Sequence, residues 1–336
     1  MIEAKMDIKV TKKRLLNLIN YEWIKTLIFI IIGIIVWNLL FTTLGTRLTD
    51  GQSFYLVTFE GVNTKTYDVN SKFLNKLRTD GILSYDVLSL GVTEVNTVGS
   101  YSADYMFSVR MSTKEGDVLV VGEGDKPYDE EKGEIYAAQR IVSNYMHSLF
   151  TIDEFLDAAH NYTVKNGFIT EYDGGYTVNE QAIESYFKNE RIQSARNYRR
   201  TYTSEAKINE GVLGEIERIK NIYTSWLGVT AALEKAAAEG NDIRWYSKPI
   251  IKNDDGSLME FEPKAYGIDL DKMIRNRPEG KEDLIDLWYV LDEQEQTSTA
   301  GLVFMIFNFS GVQADMQYES LSVLYYLIRT YSGYAD

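Results

Sequence analysis

Phe54–Phe59 (FYLVTF) is a short apolar run built from β-branched and aromatic residues, and Gly61-Val62-Asn63 closes it. A run with so little polar surface predicts a strand buried on both faces. Working outward, Asn70–Asp80 (NSKFLNKLRTD) begins polar, spaces Phe73, Leu74 and Leu77 like one face of a helix, and ends before Gly81. Tyr85–Val95 (YDVLSLGVTEV) alternates like a strand, Ser102–Ser112 returns to helical spacing, and Asp117–Val121 (DVLVV) is a second buried apolar run. Strand, helix, strand, helix, strand implies crossover units. The fold class expected is therefore α/β, with a parallel sheet covered by helices on both faces.

Beyond that core the period stays helical over Glu130–Phe150, Ile152–Ala159, Asn179–Ser204 and Gly211–Glu239, with breaks near Asn166-Gly167 and at Asp173-Gly174-Gly175. From Asp242 the pattern changes. Ile243–Ile251 alternates around Pro249, Asn253-Asp254-Asp255-Gly256 supplies turn chemistry, and Leu258–Phe261 is the expected return strand of a hairpin. Lys281–Leu291 reads as a helix, Leu302–Phe309 (LVFMIFNF) as a strongly apolar strand, and Gln317–Tyr331 as a closing amphipathic helix. Residues 45–130 and 262–336 then form an α/β lobe, and residues 131–261 form a mainly helical second lobe with the hairpin. Phe54–Phe59, Tyr85–Val95, Asp117–Val121 and Leu302–Phe309 are expected in one sheet.

Ahead of the α/β pattern lies Thr26–Leu44 (TLIFIIIGIIVWNLLFTTL), which carries no charge. At ~1.5 Å rise per residue it reaches ~28 Å, close to the ~30 Å hydrocarbon thickness of a bilayer. It predicts a single transmembrane helix. Lys5, Lys9, Lys12, Lys13, Arg14 and Lys25 precede it, whereas Arg47 is the one cation in the first fifteen residues beyond it. That asymmetry keeps residues 1–25 cytoplasmic and sends the rest outside as the extracellular domain of a single-pass cell-membrane protein. A cleavable signal would have a shorter apolar region.

The whole chain carries a formal charge of −14. Residues 1–44 hold six cations and three acids, a net of +3, so the exterior carries −17. Such an exterior argues against nucleic acid as a partner and against charge-driven docking on anionic lipid. Cysteine is absent, which removes disulfides, thiolate metal sites and cysteine nucleophiles. The two histidines, His147 and His160, are too few and too far apart for a metal site, and no cofactor motif is present. No catalytic signature stands out either, so the reading is of a non-enzyme. Glu123 and Asp125, and the pair Asp254 and Asp255, are the closest approach to the paired carboxylates of a glycosidase, in a chain with 49 acidic residues. Aromatics near polar turns, Tyr101, Tyr105, Tyr128, Trp245 and Tyr246, are the ring faces on which a sugar could stack. A ligand of such a sheet is expected outside the carboxyl ends of its strands, near Glu60, Glu94, Glu123, Trp245 and Tyr246.

The order Phe54–Phe59, Asn70–Asp80, Tyr85–Val95, Ser102–Ser112 and Lys114-Glu-Gly-Asp-Val-Leu-Val-Val resembles the opening of extracellular solute-binding proteins of bacterial ABC importers, particularly the carbohydrate-binding type. Tyr266-Gly-Ile-Asp-Leu, Leu302–Phe309 and Gln317–Tyr331 are similar to that family's late return to its first lobe. The resemblance implies a periplasmic-binding-protein-like fold, a sugar or other small solute as ligand, and an ABC permease as membrane partner. The transmembrane anchor and the short, helical middle depart from the family. They leave room for an alternative, an envelope adaptor that holds another membrane or surface protein without a small ligand.

Overall fold

The computed structural model describes residues 11–44, 48–59, 61–65, 68–95, 103–292, 294–309 and 318–335. Contacts divide the chain into two units, Met1–Arg47 and Leu48–Asp336. Among its described residues the first holds one helix, α1 (Lys12–Leu44), whose described side chains from Leu27 to Leu39 are all exposed. Among the described residues no helix is long and apolar enough to cross a membrane. Leu27–Leu39 is about 20 Å of helix, short of the ~30 Å of a hydrocarbon core. The side chains of Thr26 and Leu40–Leu44, which complete the uncharged run, lie outside the described residues, as do residues 1–10.

The strands of the second unit are β1 (Ser53–Phe59), β2 (Asn63–Thr64), β3 (Ser89–Val95), β4 (Val118–Val121), β5 (Ile169–Tyr172), β6 (Gly175–Val178), β7 (Arg244–Ser247), β8 (Lys264–Asp269), β9 (Trp288–Leu291), β10 (Thr297–Ser298) and β11 (Val303–Ile306). Its main sheet among the described residues has six strands in the order β3-β1-β4-β11-β8-β7. All four apolar runs expected to share a sheet are adjacent in it. Ser53–Phe59 pairs in parallel with Ser89–Val95 and, through Leu56–Thr58, with Val118–Val120.

The expected all-parallel sheet is corrected in its other half. β11 runs antiparallel to both β4 and β8, and β7 antiparallel to β8. A strand buried on both faces shows the same continuous apolar run whichever way it points, so its direction is set by the connection that delivers it.

Alternate residues of these strands feed two separate cores. Phe54, Leu56, Val118, Val120, Phe304 and Ile306 face one side, and Val57, Phe59, Leu119, Val121, Val303 and Met305 the other. The first side is covered by the helical stretch Val69–Thr79, whose last five residues are α2 (Asn75–Thr79), and by three longer helices. The second is covered by α3 (Ala103–Thr113) through Phe107 and Met111, and by α4 (Ala137–Tyr145) through Ile141 and Val142. This makes three layers, helix on sheet on helix. Each Leu, Ile or Phe buried in them contributes about 1.5–3 kcal/mol.

On the first side lie α5 (Ile152–Lys165), α6 (Glu205–Ala238) and α7 (Glu319–Tyr331). A capping box starts α5: the Thr151 hydroxyl accepts from Glu154 N, and the Glu154 carboxylate from Thr151 N, both at 3.3 Å. The Ser204 hydroxyl caps α6 by accepting from Lys207 N at 3.4 Å, and Gly240, at φ +75°, ends it in the left-handed conformation that favours glycine.

Several local expectations are overturned. Glu130–Phe150 is helical only from Ala137, because Asp129–Glu134 closes a bridged turn with Gly133 at φ +67°. Asn179–Ser204 is a chain of short helical pieces, broken at Ala195. The Asp173-Gly174 break is the turn of an unforeseen hairpin, β5–β6. Asn253–Ser257 does turn, with Lys252 bridging Leu258, but Arg244–Ser247 finds its partner in Lys264–Asp269 instead of Leu258–Phe261. Lys281–Leu291 is one 3-10 turn at Leu284–Asp286 followed by β9, where Trp288, Tyr289 and Val290 prefer strand.

Candidate functional site

The edge where β1, β3 and β4 end is also where β11 begins and where β8 ends, since Val303 pairs with both Val121 and Asp269. Past Val121 the chain makes the turn Gly122-Glu123-Gly124, with Glu123 at φ +63°, a conformation strained for a residue with a Cβ. Three bonds hold it there. The Glu123 carboxylate accepts from the Ala137 amide at the start of α4, 3.2 Å, and from Lys126 Nζ, 3.3 Å, while Gly124 N donates to Gly301 O at 2.9 Å. Trp245, buried on β7, donates its indole N–H to Gly124 O at 2.6 Å. A Cβ on Gly124 would lie 2.2 Å from Val303 Cγ2 and 2.9 Å from Trp245 Nε1, so glycine is required by close approach.

Of the five residues expected at this edge, the structure joins Glu123 and Trp245 through Gly124. Tyr246 does not pair with Trp245. It is 52% exposed while its neighbour is buried, and its hydroxyl donates to Asp242 at 3.0 Å; partial burial and that carboxylate raise its pKa. Glu94 is exposed on β3 in register with Thr58, two strands, or roughly 10 Å, from β4. Glu60 and Tyr101 lie outside the described residues.

Residues not anticipated complete the edge. Asp269 caps the short helix Leu270–Ile274 by accepting from Lys272 N at 2.9 Å; burial raises its pKa against the pull of that amide and of Lys272. Asp271 accepts from Thr299 at 2.8 Å and pairs with Arg275 at 2.9 Å. An apolar strand running into Asp-Leu-Asp-Lys is the sequence signal of such a cap. Asp254 and Asp255 stand apart in their turn, where Ser257 lowers the Asp255 pKa. His160 stacks on Trp226 at 4.2 Å and meets Glu171 at 2.8 Å. Among the described residues no group of His, Cys, Asp and Glu is arranged to hold a metal.

A second polar constellation lies deep in the unit. Arg191 reaches Asp86 at 3.0 Å and Glu215 at 3.3 Å; Arg218 reaches Glu215 at 3.0 Å and Glu319 at 2.6 Å. All five side chains are 6% exposed or less. The Tyr85 hydroxyl donates to Glu215 at 3.2 Å, and Arg218 donates to the Tyr162 hydroxyl at 3.1 Å. Burial and the adjacent Glu215 carboxylate push the Tyr85 pKa far up, so it stays a donor. This chain of alternating charges ties the Tyr85-Asp86 loop to α6 and α7. Beside it, Arg78, Tyr85, Leu88, Gly214, Glu217 and Asn221 line an open groove of about 490 Å³.

Comparisons with protein-family models, with curated proteins and with solved structures find no match for this chain.

Proposed function

We propose that the protein is a membrane-tethered envelope adaptor: α1 anchors it as a single-pass span, and the acidic unit Leu48–Asp336 holds a membrane or surface protein outside the cell. The anchor reading is supported by one unbroken helix over the uncharged run Thr26–Leu44 and by the exposure of its described apolar side chains. The adaptor reading is carried by the Trp245–Gly124 bond. Solute would enter at the carboxyl edge of the strands, and there the indole, Val303 and Gly301 are already packed against the Gly122-Glu123-Gly124 turn. A partner then has to be held by the surface. Purification of the full chain in mild detergent tests this. An adaptor brings a stoichiometric protein partner without added solute; recovery of the chain alone from its native membrane overturns it.

The competing reading is a solute-binding-protein-like module that delivers carbohydrate or another small solute to an ABC importer. The parallel arrangement β3-β1-β4 with its crossover helices favours it, since that is the opening half of such receptors as read from the sequence. A sugar that raises the melting temperature in proportion to the logarithm of its concentration supports this module instead, because a ligand at a hundred times its Kd adds about 2.7 kcal/mol.

A further inference from the structure

We propose that the unit Leu48–Asp336 docks on the membrane through an arginine collar, Arg196, Arg199 and Arg200, with Leu48 and Leu88 as its apolar rim, and that anionic lipid headgroups are what it binds. The inference rests on the anchor reading of α1. It runs against the total charge of the exterior, which by itself predicts repulsion from such lipids.

Charge is not spread evenly. From Arg196 to Lys207 the sequence holds four cations, Arg196, Arg199, Arg200 and Lys207, against Glu205, a net of +3 in a chain of −14. The short helix Arg196–Thr201 turns Tyr198 inward, 2% exposed and stacked on Tyr202, and leaves all three arginines at the surface. Arg78 adds a cation at Leu88, whose carbonyl accepts from its guanidinium at 3.1 Å. Glu217 lines the same groove as the opposing carboxylate.

Gln52 fixes where this collar lies. Its backbone N–H donates to Thr49 O at 2.9 Å, its carbonyl accepts from Leu88 N at 2.8 Å, and its buried side-chain oxygen accepts from both Thr49 N and Asn197 Nδ2. One residue therefore joins the first residues of the unit to Leu88 and to the arginine helix. Leu48 is 46% exposed and Leu88 57%. Leu48 follows the last residue of α1 by four positions, a span of at most ~14 Å of extended chain. That is comparable with the Debye length of ~8–10 Å over which headgroup charge acts. Guanidinium forks match phosphate oxygens in pairs, and exposed leucines beside them enter the headgroup boundary.

The chain has no cysteine, so Gln193→Cys gives a unique dye site beside the arginines; the Gln193 carbonyl accepts from Arg199 at 2.6 Å. The full chain is reconstituted into vesicles of phosphatidylcholine alone, or of phosphatidylcholine with phosphatidylglycerol, each with an acceptor dye on the headgroups. Energy transfer is expected to be higher in the anionic vesicles and to fall to the neutral level as salt is raised. Each arginine near an anionic surface favours the docked state by about fivefold, so Arg196→Gln, Arg199→Gln and Arg200→Gln together should lower the docked-to-undocked ratio by about a hundredfold. Equal, salt-independent transfer in both membranes overturns the proposal, and the salt titration decides this on the unsubstituted arginines should the triple variant not fold. Carbonate extraction separates the two failures. A chain stripped from the vesicles refutes the anchor and the collar with it; a chain that stays embedded without lipid dependence refutes the collar alone.

Discussion

The sheet and the junction of α6 with α7 are held by opposite means. In the sheet, β1, β4 and β11 bury apolar side chains on both faces, and the contribution of each scales with area. At the junction, three carboxylates and two guanidiniums replace the apolar filling. Such a network contributes little against a well-packed apolar alternative, yet removing one member leaves its partners charged and dry. The difference teaches that sheet positions tolerate graded change, whereas junction positions fail abruptly.

The largest expected effect falls on the sheet. Deleting residues 300–336 removes β11 from between β4 and β8, together with α7, and should abolish the cooperative melt of the whole second unit followed by circular dichroism. A truncated chain that keeps native helix content and a sharp transition would break the shared-sheet account. Next comes Glu215→Ala, which strips both Arg191 and Arg218 of a buried carboxylate and should destabilise by about 3–5 kcal/mol in urea unfolding. A loss below about 1 kcal/mol would mean that water reaches the arginines and the contrast fails. Trp245→Phe keeps the ring volume in part but orphans Gly124 O, for an expected loss of about 1–3 kcal/mol, with faster amide exchange at Gly124.

The smallest effect sharpens the comparison through pH. Burial raises the Glu319 pKa above its ordinary 4.5 against the pull of Arg218, and its Oε2 has no hydrogen-bond partner among the described residues. The folded state therefore holds this proton more tightly than the unfolded chain. The stability it contributes is complete below about pH 4.5 and is lost as pH rises through the folded-state value. Glu319→Gln keeps an acceptor for Arg218, whose charge Glu215 still offsets, and should flatten that part of the stability profile with a smaller change at neutral pH than Glu215→Ala. An unchanged slope would show that Glu319 is not the residue holding the proton.

Legibility followed the same division. Phe54–Phe59, Asp117–Val121 and Leu302–Phe309 announced themselves because a doubly buried strand has no polar face to disguise it. Lys281–Leu291 misled because helical spacing over so short a run competes with the strand preference of Trp288-Tyr289-Val290. At the candidate edge, Glu123 was legible as an acid after a strand and Trp245 as a ring near polar turns, but their junction through Gly124 was not. The ionic network left no sequence trace: Asp86, Arg191, Glu215, Arg218 and Glu319 look like any other charged residues in a chain rich in them.

The sequence by itself determined the α/β class, the sharing of one sheet by four distant runs, and an uncharged stretch of bilayer length, because each depends on local periodicity and apolar content. Tertiary structure alone decided the strand directions, the bond from Trp245 to Gly124, the burial of five ionisable side chains in one network, and the joining of the arginine helix to Leu88 through Gln52. Those depend on which distant segments meet. Burial, direction and charge complementarity are properties of the meeting and not of either segment.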